Sequence, residues 1–326
     1  MTCVRLAIAA ALCLVAWPAS AHHSRAEFNS GSEVVLRGVV TSFNWRNPHV
    51  YIHVTTQEAG APVDWEVEAD GIPLLSRSGW TSASLTPGEM VTVRAVPNRD
   101  PARRRVLLVS LATSAGVKLG ARRAADEHRP LAYARDLSGT WELPGGDDTG
   151  DFSKRWGAVP ITPKAAAAKA QFRPADRPAA TCIAPPTPMI MAMPYLNEVQ
   201  LRKDVVLLRS EFFNVERTVY MDGRGHPANG PRTNQGHSIG RWEGGVLVVD
   251  TTLFADHRAP IRGPQEGVPS GARRHVVERY RLSDDRTRIW IDFVVEDPEY
   301  LSAPFTGRLE WIYSPHLKMM PFECEP

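Results

Sequence analysis

The sequence predicts an all-β protein made of two β-barrels in series, a small one followed by a larger antiparallel barrel or curved sheet. Three observations carry this expectation. Short segments with period-two or β-branched apolar patterning recur along most of the chain. Turn-forming pairs such as Pro87-Gly88 and Gly244-Gly245 separate them. A Pro- and Gly-rich stretch without that patterning, 144–194, interrupts the series once and gives the second unit a long irregular arm.

The chain starts with one positive charge, Arg5, an apolar run over 6–17 and the ending Pro18-Ala19-Ser20-Ala21. These are the three parts of a cleavable secretory signal. The run is shorter than the ~20 residues that span a bilayer. Cleavage after Ala21 is therefore expected, giving a periplasmic or secreted protein with no transmembrane anchor. The expected division is a signal peptide over 1–21, a first domain over 22–114, a charged and Ala-rich linker over 115–136, and a second domain over 137–326.

Within the first domain, strands are expected at 34–43, 50–56, 63–68, 90–96 and 106–112, with a short helix inside 72–80. Three strands, a helix and two strands is the order of an OB-type barrel; an open sandwich is the alternative. The second domain opens on Gly139-Thr140-Trp141, which resembles the Gly-x-Trp start of lipocalin-like barrels and implies a tryptophan closing the barrel floor. Inside the arm, Thr162 and Pro163 open a short capped helix over 162–170. Strands then follow at 198–202, 205–212, 216–222, 237–242, 246–253, 275–282, 287–296 and 306–313, with tight turns at 243–245 and 283–286.

Composition excludes several classes. Lys+Arg number 38 against 36 Asp+Glu, and loss of Arg5 with the leader reduces the excess to one, so no nucleic-acid footprint is expected. Nucleophile-elbow, phosphate-loop and dinucleotide motifs are missing, as are zinc- or haem-spaced cysteines, so no nucleotide, haem or flavin is expected. After removal of the leader only Cys182 and Cys324 remain. In an oxidising compartment they either pair, closing a loop worth ~5 kcal/mol in the chain-entropy model, or stay as separate buried thiols.

Three groups of residues could carry chemistry. Processing would expose His22-His23-Ser24, an α-amine beside two imidazoles, a nitrogen donor set that suits Cu(II) above other divalent metals. His49 and His53 fall on the outward face of the 50–56 strand, with Glu66 and Glu68 outward on the next, so the expected metal site is His22, His23 and His49, with His53 or Glu66 as further ligands. The alternative is a solvated terminus and histidines paired with carboxylates. In the second domain, a two-residue turn at Gly244-Gly245 sets Trp242 opposite Leu247, Arg241 opposite Val248 and Ile239 opposite Asp250. His237, Arg241 and Asp250 then share a face, either as a ligand-orienting or acid–base set or as a structural ion pair. Finally, a turn at 283–286 pairs Leu282 with Thr287 and leaves Glu278 the one charge on an apolar face, with Arg217 as the expected partner. Glu278 is read as a general acid/base in a cavity or as half of a register-fixing pair. Met189-Ile190-Met191-Ala192-Met193 is read either as soft copper ligands or as arm residues packing on an apolar surface.

Two resemblances extend this reading. Ala21-His22-His23-Ser24 followed by Trp45-Arg46-Asn47-Pro48-His49 resembles a family of small exported bacterial domains of unknown function, which implies an exported β-barrel over roughly 21–114. Tyr220 to Pro227, Gly236 to Gly244, Leu247 to Thr251 and Val277-Glu278-Arg279 resemble segments of a large uncharacterised group of exported bacterial proteins. There an aspartate usually follows the Trp-Glu-Gly, where this chain has Gly245. Neither resemblance implies a reaction. The function expected is an exported binding protein for a metal ion or small molecule. The alternatives are an enzyme acting on a small hydrophobic molecule through Glu278, His237 and Asp250, and a partner-binding envelope protein.

Overall fold

A computed structural model describes residues 27–121, 131–144, 159–173, 182–256 and 267–325. The expected signal segment, His22, His23 and much of the linker and arm lie outside the described residues. The architecture is all-β, a small five-strand barrel followed by a nine-strand closed barrel.

In the first unit, β1 (Val34–Asn44), β2 (Tyr51–Glu58) and β3 (Ala61–Glu68) form an antiparallel meander, followed by α1 (Ile72–Arg77), β4 (Met90–Pro97) and β5 (Arg105–Thr113). Alternation drives it: Val50, Ile52 and Val54 are fully buried and pack with Val91, Val93, Val106 and Trp80. Closure comes from a parallel contact of β3 with β5, Glu66 opposite Arg105 and Glu68 opposite Leu107. Register slips in β1 and between β4 and β5 mark bulges that bend the sheet. A further strand, β6 (Lys118–Gly120), falls where a linker was expected; it pairs with β5 and buries Leu119 in the first core.

In the second barrel the strand order is β10 (Val215–Tyr220), β11 (His237–Glu243), β12 (Val246–Thr252), β13 (His275–Leu282), β14 (Arg288–Glu296), β15 (Phe305–Tyr313), β7 (Gly139–Glu142), β8 (Asn197–Leu201) and β9 (Val205–Ser210). All eight strands expected after residue 197 are present. The pairing is not wholly antiparallel, because β10 and β11 run parallel at Val219–Ser238 and Tyr220–Ile239. The 221–236 segment carries the chain back to the same end instead of turning tightly. The Gly-Thr-Trp opening becomes the closing strand β7. Gly139, at φ +119°, leaves room for the Tyr313 ring where a Cβ would lie 2.7 Å from it, and Trp141 is buried against that ring with Nε1 donating to the Leu137 carbonyl.

The capped arm helix forms as α2 (Pro163–Gln171), with Thr162 accepting from the Ala165 amide. The arm then turns inward. Met189, Ile190, Met191 and Ala192 are all buried in the core of the second barrel, so the methionine run packs on an apolar surface. Cys182 and Cys324 are joined, with Cα atoms 5.8 Å apart, tying the arm to the C-terminal segment. That segment also pairs with the first unit at Asn47–Cys324, and Glu325 N donates to Asn47 O. The Trp-x-Asn-Pro-His stretch thus forms part of the contact between the barrels. Asn47 Oδ1 accepts from Ile72 N at the start of α1, and Gly71 fits there because a Cβ would meet Asn47, Pro48 and Tyr195 atoms at 2.9 Å.

Candidate functional site

The expected β11–β12 register holds at every position: Ile239 opposite Asp250, Arg241 opposite Val248, Trp242 opposite Leu247. His237 and Asp250 do share the outer face. Arg241 does not join them; its guanidinium pairs with Glu243, which also takes Arg279. Two histidines that periodicity did not single out complete the group. His226 arrives from the 221–236 segment and His275 opens β13.

Together they make an unbroken row. His226 Nδ1 faces His237 Nδ1 at 2.9 Å, and His226 Nε2 lies 3.0 Å from Asp250 Oδ1. The same Asp250 oxygen lies 3.0 Å from His275 Nε2, and His275 Nδ1 lies 3.0 Å from Glu296 Oε2. Tyr220 stacks on His237 and Arg224 sits over Tyr220 at 4.1 Å. The hydrogen bond to Asp250, opposed by partial burial and reinforced by Glu296, raises His275 to about 9, so it is an imidazolium at neutral pH. That same bond is the main reason Asp250 is held below the usual carboxylate range. Burial, then the neighbouring His226 and Arg224, push His237 down, so it is neutral. The row is therefore graded, with a charged end at His275 and a neutral end at His237.

The interior of the barrel holds a second polar group. Glu278 is fully buried on the apolar face of β13, as its pattern predicted, and Arg217 is its partner, Nη2 to Oε2 at 2.7 Å. Thr187 of the arm donates to Glu278 Oε1, and Arg274 donates to the Thr187 carbonyl. Arg217 Nη2 also donates to the Tyr280 hydroxyl at 3.1 Å, which in turn donates to Met191 Sδ at 2.9 Å. Burial and the Glu278 charge raise the Tyr280 phenol well above its ordinary value. Burial lowers Arg274 to about 10. The β13–β14 turn is longer than expected, with Leu282 opposite Ile289, not Thr287. A slip of two residues leaves every side chain on its predicted face.

In the first barrel His53 lies directly opposite Glu66, whose carboxyl burial raises despite that histidine. His49 Nδ1 lies 3.2 Å from the Ala69 carbonyl and 3.5 Å from Glu68. Glu68, expected outward, is fully buried, because closure of β3 on β5 brings Arg105 over it at 3.4 Å. Among the described residues, no group of three or more His, Cys, Asp and Glu side chains is arranged to hold a metal ion. No described helix is long and apolar enough to cross a membrane.

Fold and site define an all-β, two-barrel protein whose second barrel is filled by its own arm and carries an imidazole–carboxylate row outside. Over residues 10–106 the chain matches a family of unknown function (DUF6152). No curated protein matches it. One solved structure with similarity is the mitochondrial single-stranded DNA binding protein Rim1 of S. cerevisiae. It is 13% identical, with 26% of this chain and 94% of that chain covered and a TM-score of 0.20.

Proposed function

We propose that this is an exported binding protein, periplasmic after cleavage following Ala21, whose ligand is a late divalent transition ion, with copper favoured. The observation that carries the reading is the His226–His237 pair. Two imidazole nitrogens face one another at 2.9 Å, and Zn–N bonds of 2.0–2.1 Å at a tetrahedral angle put such nitrogens about 3.3 Å apart. Asp250 on the far nitrogen of His226 is the outer-shell carboxylate that orients metal-bound imidazoles. The depressed His237 supports it, since a ligand must be deprotonated. With two protein ligands the remaining positions would fall to solvent. The processed start, His22 and His23 with the α-amine, and His49 beyond it, is a second donor set of the same chemistry.

The test is isothermal titration of the cleaved protein with Cu(II) and Zn(II). Alanine at both His226 and His237 removes one binding event, and an N-terminal extension removes the other. Absence of saturable binding by either metal overturns the reading. A second reading, acid–base catalysis, is favoured by the Asp250–His226–His237 sequence of contacts, which presents a neutral imidazole backed by an oriented one. Glu278 is less suited to that role, because Thr187 donates to one of its oxygens and the buried Arg217 charge, 2.7 Å from the other, holds it as a carboxylate. An activity lost in His237→Gln and retained in Glu278→Gln would support it; an activity indifferent to His237 would sink it.

A further inference from the structure

We propose that the interior of the second barrel carries a binding site for a small hydroxycarboxylate, held by the guanidinium groups of Arg217 and Arg274 beside Glu278. The inference does not depend on the outer imidazole row. Both arginine side chains are almost wholly enclosed, Arg217 at 5% and Arg274 at 1% exposure. Yet among the described residues Nη1 of Arg217 and both Nε and Nη1 of Arg274 find no hydrogen-bond partner. Glu278 Oε2 takes the Arg217 charge at 2.7 Å and, among the described residues, accepts no well-directed hydrogen bond. Leaving one such group unmet is costly, and charged groups cost most.

These groups meet around one residue of the arm. Thr187 donates its hydroxyl to Glu278 Oε1 and its carbonyl accepts from Arg274 Nη2, so both guanidinium groups are tied to the same threonine–glutamate contact. The inventory there is three cationic N–H groups wanting acceptors and one carboxylate oxygen wanting a donor. A carboxylate supplies the acceptors, and an adjacent hydroxyl supplies the donor to Oε2. Around them, Met191, Phe254 and Tyr280 are closely packed, with Arg274 over the Phe254 face at 5.2 Å. These apolar surroundings supply the low dielectric that strengthens charge-assisted bonds.

The experiment is thermal unfolding of the full chain with sodium glycolate, lactate or acetate, against chloride at matched ionic strength. The expected result is saturable stabilisation in the order glycolate or lactate above acetate, none with chloride, and binding at least tenfold weaker in Arg274→Gln. Arg308→Gln, on the exterior, should behave as the parent. If Arg274→Gln does not fold, carbon-13-labelled glycolate with the unaltered protein decides. Contacts from its methylene to the Met191 methyl and Phe254 ring support the site. No contacts, or a shift no larger than chloride gives, overturns it and leaves the donors to internal water.

Discussion

Arg217 Nη2 lies 2.7 Å from Glu278 Oε2 inside the second barrel, linking β10 to β13 across the core. Removing one partner of a buried pair leaves an uncompensated charge, worth about 3–5 kcal/mol. Glu278→Leu alone should lower the unfolding free energy read from a urea titration by that order. Joint replacement by Arg217→Met and Glu278→Leu should recover most of it. A single variant as stable as the parent would mean the pair contributes nothing to the fold.

The charge on His275 makes stability depend on pH in a defined window. Its value is raised from 6.5 to about 9 by Asp250 and then Glu296. A raised folded-state value contributes stability that is fully present below about 6.5 and is lost as pH rises through about 9. Proton-detected titration should put the His275 midpoint near 9, and Asp250→Asn should move it toward 6.5. A midpoint near 6.5 in the unaltered protein would refute the geometry of the row.

The Cys182–Cys324 bridge joins residues 142 positions apart and fastens the arm to the C-terminal segment. Its removal by Cys182→Ser with Cys324→Ser should cost about 2–5 kcal/mol. Hydrogen exchange should rise first at the buried amides of 189–192. Unchanged protection there would show that the apolar core holds the arm without the bridge.

Between the barrels, Arg77 of α1 pairs with Glu211 through both carboxylate oxygens, Nη1 to Oε2 at 2.8 Å. Glu211, fully buried, also accepts the amides of Leu196 and Met320. Arg77→Ala should cost about 3–5 kcal/mol and separate one unfolding transition into two. A single coincident transition at an unshifted midpoint would show that the barrels couple by other contacts.

Local patterning made much of this legible. The period-two face of β13 isolated Glu278, and the Gly244-Gly245 turn placed His237 and Asp250 together, because turn and pleat fix pairing over a few residues. It missed His226 and His275 for the same reason. His226 sits in a segment without periodicity, and His275 is the first residue of its strand, where alternation assigns no partner. Face alone pairs Arg241 with Asp250, and Glu243, two residues along the chain, captures it instead.

What the sequence determined by itself was the run of strands along the chain and most of their inward and outward faces; it also named Cys182–Cys324 and Arg217–Glu278 as candidate pairs, each against an alternative. Alternation, turn chemistry and the cost of an unpaired buried charge act on short stretches, and each can be read from them. Only the tertiary structure decided which distant segments lie over those faces. The arm fills the barrel, β3 closes on β5 and buries Glu68, and the 221–236 segment lays His226 between His237 and Asp250. Such placements follow from packing among residues far apart in the chain, which no local pattern records.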